Sequence, residues 1–341
     1  YGLMLFFYGP VGDRFGKFRT LAVATLLCAG GNLFVVFAQS FEMVLFGRFM
    51  SGSTAAAIVP LSMAWIGDHV TYKDRQATLA KFMIGTILGV SAGLVVGGLF
   101  TDTVGWRGSF VFLTVLYTMV GGWLLMQMRQ VPERDGAPRG RLQVLAPIKS
   151  VLATPWARMV LFVVFIEGAM VFGGLSFVPA FLQAHHGLSS TAAGLVTGLF
   201  GFGALFYVAS ARWLVTGLGE VKLAVAGGWA LALSCVMYLG TDHWYWAMVA
   251  SMVFGFAYYL LHAVLQTNAT QMTPALRGTA VSLFASCLFG GQAIGVAGGA
   301  FVVDTFGIEW VLVIAAVVLP LLGMGFGYAL AVNKRDALVG D

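Results

Sequence analysis

Two side chains able to hold a proton stand deep inside apolar runs: Glu167 in LFVVFIEGAMVFGG and His262 in FAYYLLHAVLQ. Glu167 lies about ten residues from the polar end of its run, roughly 15 Å deep at ~1.5 Å per residue, and His262 comes out at nearly the same depth. An ionisable group so placed is costly and is read as a functional candidate. Carboxyl and imidazole groups take up and release protons, so Glu167 is expected to carry a coupling proton, with His262 as its hydrogen-bond partner or co-carrier. A structural hydrogen bond to a neighbouring helix is the alternative for each.

Other residues suggest what accompanies that proton. Gln266, one turn from His262, and Asn268, nearer the inner end, both donate and accept hydrogen bonds, which suits a polar substrate or a bond between helices. Phe177, with Met170 and Phe181, can line an apolar pocket or serve packing alone. Arg48 is about six residues from the outer end of its run and either snorkels to the surface or takes a partner. His185 and His186 have no further ligands nearby, and neither metal-ligand spacing nor a nucleophile motif occurs. Catalytic residues, a metal and a cofactor are therefore not expected, and a proton gradient is the expected energy source.

The elements that carry these groups are written in the composition. Of 341 residues 59% are hydrophobic and 10% charged, too little charge to cover a soluble surface of this size. Continuous apolar runs of about 20 residues or more match a hydrocarbon layer of roughly 30 Å. Helices are expected at about 20 to 38, 42 to 67, 78 to 101, 107 to 128, 156 to 183, 190 to 214, 221 to 240, 243 to 272, 277 to 303 and 309 to 332, after a partial one at 1 to 9. The long unbroken runs favour helices over barrel strands, which alternate. Cys28, Cys235 and Cys287 all fall inside spans, as small buried side chains with no disulfide implied.

If the loop at 10 to 19 is cytoplasmic, alternation places 17 of the 19 Lys and Arg residues in or beside segments on that same side, leaving Arg48 and Arg107 nearer the other face. The net charge of +5 is then explained by orientation and by anionic lipid, and no nucleic-acid partner is needed. The expected setting is the plasma (inner) membrane, with the linker and C-terminus cytoplasmic.

A shift of 202 positions aligns Arg75 with Arg277, Phe82 with Phe284, Gly89 with Gly291, Gly93 with Gly295, Gly97 with Gly299, Asp102 with Asp304 and Gly105 with Gly307. The halves read as parallel copies. The expected organisation is an N-terminal helical bundle at 1–128, a cytoplasmic linker at 129–155, a six-helix C-terminal bundle at 156–332 and a tail at 333–341. By the same arithmetic, roughly one and a half helices of the first bundle are expected ahead of Tyr1. The glycines at 89, 93, 97 and at 291, 295, 299 put a small residue on one helix face every fourth position, for close packing or for a smooth rocking face.

These features resemble the major facilitator superfamily, and within it the drug:proton antiporter branch of arabinose-efflux-permease-like proteins, over essentially the whole chain. In GPVGDRFGKFR, Gly9, Gly12, Asp13, Arg14, Gly16 and Lys17 are similar to the family's signature loop. There two glycines would permit a tight turn and the basic residues would anchor it at the inner face. The resemblance implies a conformational-switch role, with Asp13 set at the positive end of the helix that starts near Arg277. The stretch RFMSGSTAAAIVPLSMAWIGD looks like the fourth-helix motif, which implies a place for Arg48 near the proton pathway. GVSAGLVVGG resembles the antiporter signature, with Leu94 where the family places proline. WRGSFVF follows the family pattern at the sixth helix, and HAVLQTNATQMTPALRGTAVSLFASCLFGGQAIG resembles the tenth and eleventh.

The resemblance implies an all-α integral membrane fold of two pseudo-symmetric six-helix bundles, with about eleven of the twelve helices present. It implies a monomeric secondary transporter working by alternating access, whose partners are protons, a small-molecule substrate and the lipid bilayer. Proton-coupled efflux of a small organic solute or drug is the leading function, and proton-coupled uptake of a small metabolite by symport is the alternative.

Overall fold

The structure, a computed structural model, describes residues 1–128, 145–240 and 242–340, apart from the side chains at 72, 73, 75, 76 and 336–340. Among these residues there is no strand. A backbone in hydrocarbon must satisfy its own hydrogen bonds, and the helix does so within one segment. The helices in chain order are α1 Leu5–Phe15, α2 Lys17–Val36, α3 Phe41–Ala55, α4 Ile58–His69, α5 Tyr72–Thr103, α6 Trp106–Gln127, α7 Leu145–Ala153 and α8 Pro155–Glu167. A π-helical turn at Gly168–Phe172 follows, then α9 Gly173–Leu175, α10 Val178–His186, α11 Ser190–Gly198, α12 Phe200–Leu239, α13 Tyr245–Gln271, α14 Arg277–Phe306 and α15 Glu309–Gly340.

Nine continuous helical stretches among the described residues are long and apolar enough to cross a membrane, and they match the runs read from the sequence. One of them, Ser190–Leu239, holds two of the expected helices, divided at Gly219, whose φ of 72° and ψ of 163° leave the helical region. Phe37, Phe49, Phe202, Trp213, Trp229 and Tyr328 are exposed. Such a surface suits acyl chains and would be a liability in water.

Two breaks within spans lie one turn before a proline. Pro60 cannot donate to the carbonyl four residues back and its ring crowds it, and α3 and α4 part at residues 56–57. Pro179 does the same at residues 176–177, between α9 and α10. α5, with Leu94 in its interior, runs unbroken for 32 residues, and α15 does so with Pro320 inside it.

The chain falls into two compact units, Tyr1–Gly85 with Phe100–Pro147, and Thr86–Leu99 with Ile148–Asp341. The linker read at 129–155 is described only from residue 145 on, where α7 occupies Leu145–Ala153; residues 129–144 lie outside the described residues.

In the first unit, Leu21, Ala22 and Ala24 of α2 pack with Ala57, Leu61 and Leu124, and Tyr8, Phe18, Ile58 and Leu125 close the cluster. In the second, α12 packs against α13 and α15 at glycines: Gly227 faces Ala257 and Leu261, and Gly228 faces Leu319 and Gly323. Ser234 donates to the Ala250 carbonyl at 2.7 Å, and the Tyr238 and Ser251 hydroxyls meet at 2.7 Å, which satisfies buried polar groups across that seam. The segment of α5 that belongs to this unit lies against α11, with Gly194 on the Leu94 carbonyl and Gly98 on that of Ser190.

The glycine ladder behaves differently in its two copies. Gly291 lies on the Phe165 carbonyl, Gly295 on the backbone of Ala169, and Gly299 on the Phe177 ring, so α14 meets the Pro155–His186 span with almost no side chain between. This is the close packing that the spacing predicted. At Gly89, Gly93 and Gly97 an added Cβ would meet nothing within 4 Å among the described residues.

Candidate functional site

Glu167 is the last residue of α8, and the π-helical turn begins immediately after it. A π turn is rare and tends to mark a functional site, because it widens the helix by one residue and redirects the side chains around it. Gly168, at its start, lies on the Leu288 carbonyl, and Gly173, just beyond its end, lies against Gly295, so α14 presses on both ends of the turn. Neither position has room for a side chain.

Oε2 of Glu167 stands 2.8 Å from Nδ1 of His262, which projects from the middle of α13. Glu167 is wholly buried and His262 is 8% exposed. The contact suits two charge distributions: a carboxylate accepting from an imidazolium N–H, or a carboxylic acid donating to a neutral imidazole. Either way the hydrogen bond persists while one proton changes hands. Oε1 of Glu167 is buried and has no hydrogen-bond partner among the described residues. A buried acceptor left open is costly and asks for an explanation.

Rings enclose the imidazole. Tyr258 stacks on it with centroids 4.7 Å apart and an interplanar angle of 23°. Phe284 of α14 lies at 5.5 Å, and Tyr259 stands edge-on at 6.4 Å. Nothing in the sequence singles out Tyr258, since aromatic residues are abundant; its position one turn before His262 is the only signal available.

The remaining residues singled out by sequence are placed as follows. Asn268 donates its amide to the Val264 carbonyl at 2.9 Å within its own helix, and Gln266 is exposed. Phe177 packs on Gly299. Phe181 is buried and stacks on His185 at 4.4 Å, and His185 pairs with Glu309 at 3.2 Å. Arg48 belongs to the first unit, where it is exposed and lies over the Phe110 ring at 5.6 Å.

The glycine-rich segment is less of a loop than expected. Helix α1 continues through Gly9, Gly12, Asp13 and Arg14 to Phe15, and the turn consists of Gly16 alone, at φ 90° and ψ 128°. Gly12 is buried in the helix against Leu61, where a Cβ would stand 2.5 Å from a side-chain methyl. Gly9 is exposed with nothing near it, and Arg14 lies over the Phe15 ring at 5.4 Å. Lys17, the first residue of α2, pairs with Asp68 of α4 and with Asp13 at 3.5 Å. Asp68 was missed in the sequence reading of this cluster, because it is 51 positions away.

Comparison with known proteins adds the following. The family model described as Major Facilitator Superfamily matches residues 1–217 and 160–338. The chain is similar to the uncharacterized MFS-type transporter YwfA of Bacillus subtilis (strain 168), 24% identical over 249 residues that cover 70% of this chain and 59% of that one. It is also similar to the quinolone resistance protein NorB of Staphylococcus aureus (strain Newman), 25% identical over 124 residues that cover 36% of this chain and 27% of NorB. The chain thus spans less than two thirds of the length of either relative. A solved POT family transporter in complex with 5-aminolevulinic acid shares the fold at a TM-score of 0.74 and 12% identity, over 96% of this chain and 85% of that one.

Proposed function

The chain belongs to the Major Facilitator Superfamily, and from that premise we propose that it is a secondary active transporter of the plasma membrane, working by alternating access and exporting a small organic solute or drug in exchange for protons. The observation that carries the reading is the buried contact of Glu167 with His262 at 2.8 Å. A carboxyl and an imidazole sharing a proton, out of water and deep in a span, are suited to bind H⁺ from one side and release it to the other. The open oxygen of Glu167 favours exchange over a static bridge, because a purely structural carboxyl would be expected to use both oxygens.

Efflux is favoured over uptake by the similarity to a quinolone resistance protein and by the antiporter-like segment of α5. Uptake by symport is the second reading, and Leu94 in α5 favours it, since the antiporter pattern places a proline there. In either case Arg48 adds charge on the proton route. Gln266, Asn268 and Phe177 contribute to the substrate surface, and the segment with Gly9, Asp13, Arg14, Gly16 and Lys17 acts as a conformational switch at the inner face. The linker and C-terminus are cytoplasmic and the working unit is a monomer.

Inverted membrane vesicles with an imposed pH gradient, and a fluorescent quinolone as probe, test the proposal. Export by antiport predicts accumulation driven by an acid interior, abolished in Glu167→Gln. Gradient dependence that survives Glu167→Gln would remove this residue from the mechanism, and flux of the opposite sign would establish symport.

A further inference from the structure

Glu167 and Phe172 bracket the π-helical turn, five residues apart. At ~100° per residue, a regular α-helix would point them about 140° away from each other. The i to i+5 geometry of a π turn instead brings residues five apart back over one another. Both then reach α13, at residues four apart and so on one face of that helix. Glu167 meets His262, and Phe172 meets the Tyr258 ring edge-on, centroids 5.1 Å apart and planes at 71°.

The contacts close a ring: Glu167 to His262, His262 to Tyr258, Tyr258 to Phe172, and Phe172 back through the turn to Glu167. Tyr258 also meets Phe200 at 6.0 Å and is 3% exposed, so packing restricts the turning of its ring. An imidazole carried on a single residue can turn about its side-chain bonds. Stacked at 4.7 Å on this packed ring, it is held with Nδ1 aimed at the carboxyl.

We propose that Tyr258 is a positioning residue for the Glu167–His262 pair, and that the π-helical turn sets the pair by pressing Phe172 on Tyr258. The proposal rests on the reading of Glu167 as a proton carrier. A regular α-helical turn here would point Phe172 away from Tyr258 and loosen the hold on the imidazole. Besides Tyr258, the titratable side chains near the pair among the described residues are Tyr259 on α13 and, stacked on it at 6.0 Å, Tyr207 of α12; from α14 the Phe284 ring, which does not titrate, meets the imidazole.

Infrared difference spectroscopy of the reconstituted protein, stepped in pH with no substrate present, reads the carboxyl C=O band directly. The band assigned to Glu167 is the one lost in Glu167→Gln. Aromatic contacts are worth about 0.5–1.5 kcal/mol, so Tyr258→Leu is expected to move the titration midpoint of that band by about 0.4 to 1 pH unit. Tyr258→Phe, which keeps the ring, should restore the wild-type midpoint, and Phe172→Leu, which leaves α13 untouched, should reproduce part of the shift. Monodisperse elution of each variant shows that it has folded. If Tyr258→Leu titrates like wild type, or Tyr258→Phe is displaced as far as Tyr258→Leu, the positioning role is overturned while Glu167 remains a carrier. If no titrating band is lost in Glu167→Gln, the carrier reading itself fails, whatever Tyr258 does.

Discussion

Nδ1 of His262 lies 2.8 Å from Oε2 of Glu167, and it is the only hydrogen-bond partner that the carboxyl has among the described residues. Loss of His262 therefore leaves a buried carboxyl with neither oxygen satisfied, a change that costs about 3–5 kcal/mol when one partner of a buried pair is removed. We expect His262→Ala to lower the thermal stability of the detergent-solubilised protein strongly, and Glu167→Gln to do so less, since the amide still bonds to the imidazole. The double variant Glu167→Leu/His262→Ala should be more stable than His262→Ala alone. If the losses in Glu167→Leu and His262→Ala add strictly in the double variant, the two side chains do not depend on each other.

The glycines of the segment from Gly9 to Gly16 are not equivalent. Gly16 alone carries a positive φ, 90°, and a side chain there is strained by about 1–3 kcal/mol. Gly9 is helical with open space around it, where alanine is favoured by roughly 1 kcal/mol. Gly16→Ala is expected to lower the melting temperature, while Gly9→Ala leaves it unchanged or raises it. Equal effects of the two would contradict the one-residue turn.

The membrane fold was legible because lipid imposes a length and an apolarity on every span, and Leu21, Leu231 and Leu319 sit in runs that no soluble surface would carry. The Glu167–His262 pair was legible for the complementary reason, since an ionisable residue stands out in such a run. What the sequence concealed is local geometry. The π turn at Gly168–Phe172 is marked in the sequence only by the glycines at 168 and 173, on which α14 packs, and glycine is too common in this chain to single them out. Tyr258 is hidden among 28 phenylalanines and 10 tyrosines, and packing alone gives it a role. Gly12 read as a turn residue, yet its use is to let α1 approach Leu61, a distinction that depends on a neighbour far away in sequence.

Lys17 reaches both Asp68 and Asp13 at the end of its helix, with side chains 25% and 44% exposed in the Lys17–Asp68 pair. A pair so open to solvent contributes about 0.2–1 kcal/mol. Lys17→Ala is thus expected to shift the melting temperature only slightly. If the cluster holds one conformation of the transporter, flux should fall by more than that small loss of stability implies, and the exchange Lys17→Asp/Asp68→Lys should restore part of it. Parallel losses of stability and flux would reduce the cluster to an ordinary surface ion pair.

The two copies of the glycine ladder give the sharpest contrast. A Cβ at Gly295 would collide with the backbone of Ala169, which cannot yield as a flexible side chain can, because Ala169 lies within the π turn that follows Glu167. Overpacking of this kind costs about 1–3 kcal/mol, and here the strain falls on the turn that aims the carboxyl. At Gly93 an added Cβ meets no atom of the described residues within 4 Å beyond its own turn of helix, so Gly93→Val is the less crowded counterpart. Gly295→Val is therefore expected to lower the melting temperature and to displace the Glu167 infrared band, and Gly93→Val to do neither in the same chain. A normal Glu167 band in a destabilised Gly295→Val protein would separate the packing of α14 from the setting of the carboxyl, and the turn would then have to be held by Phe172 and Tyr258 without help from the ladder.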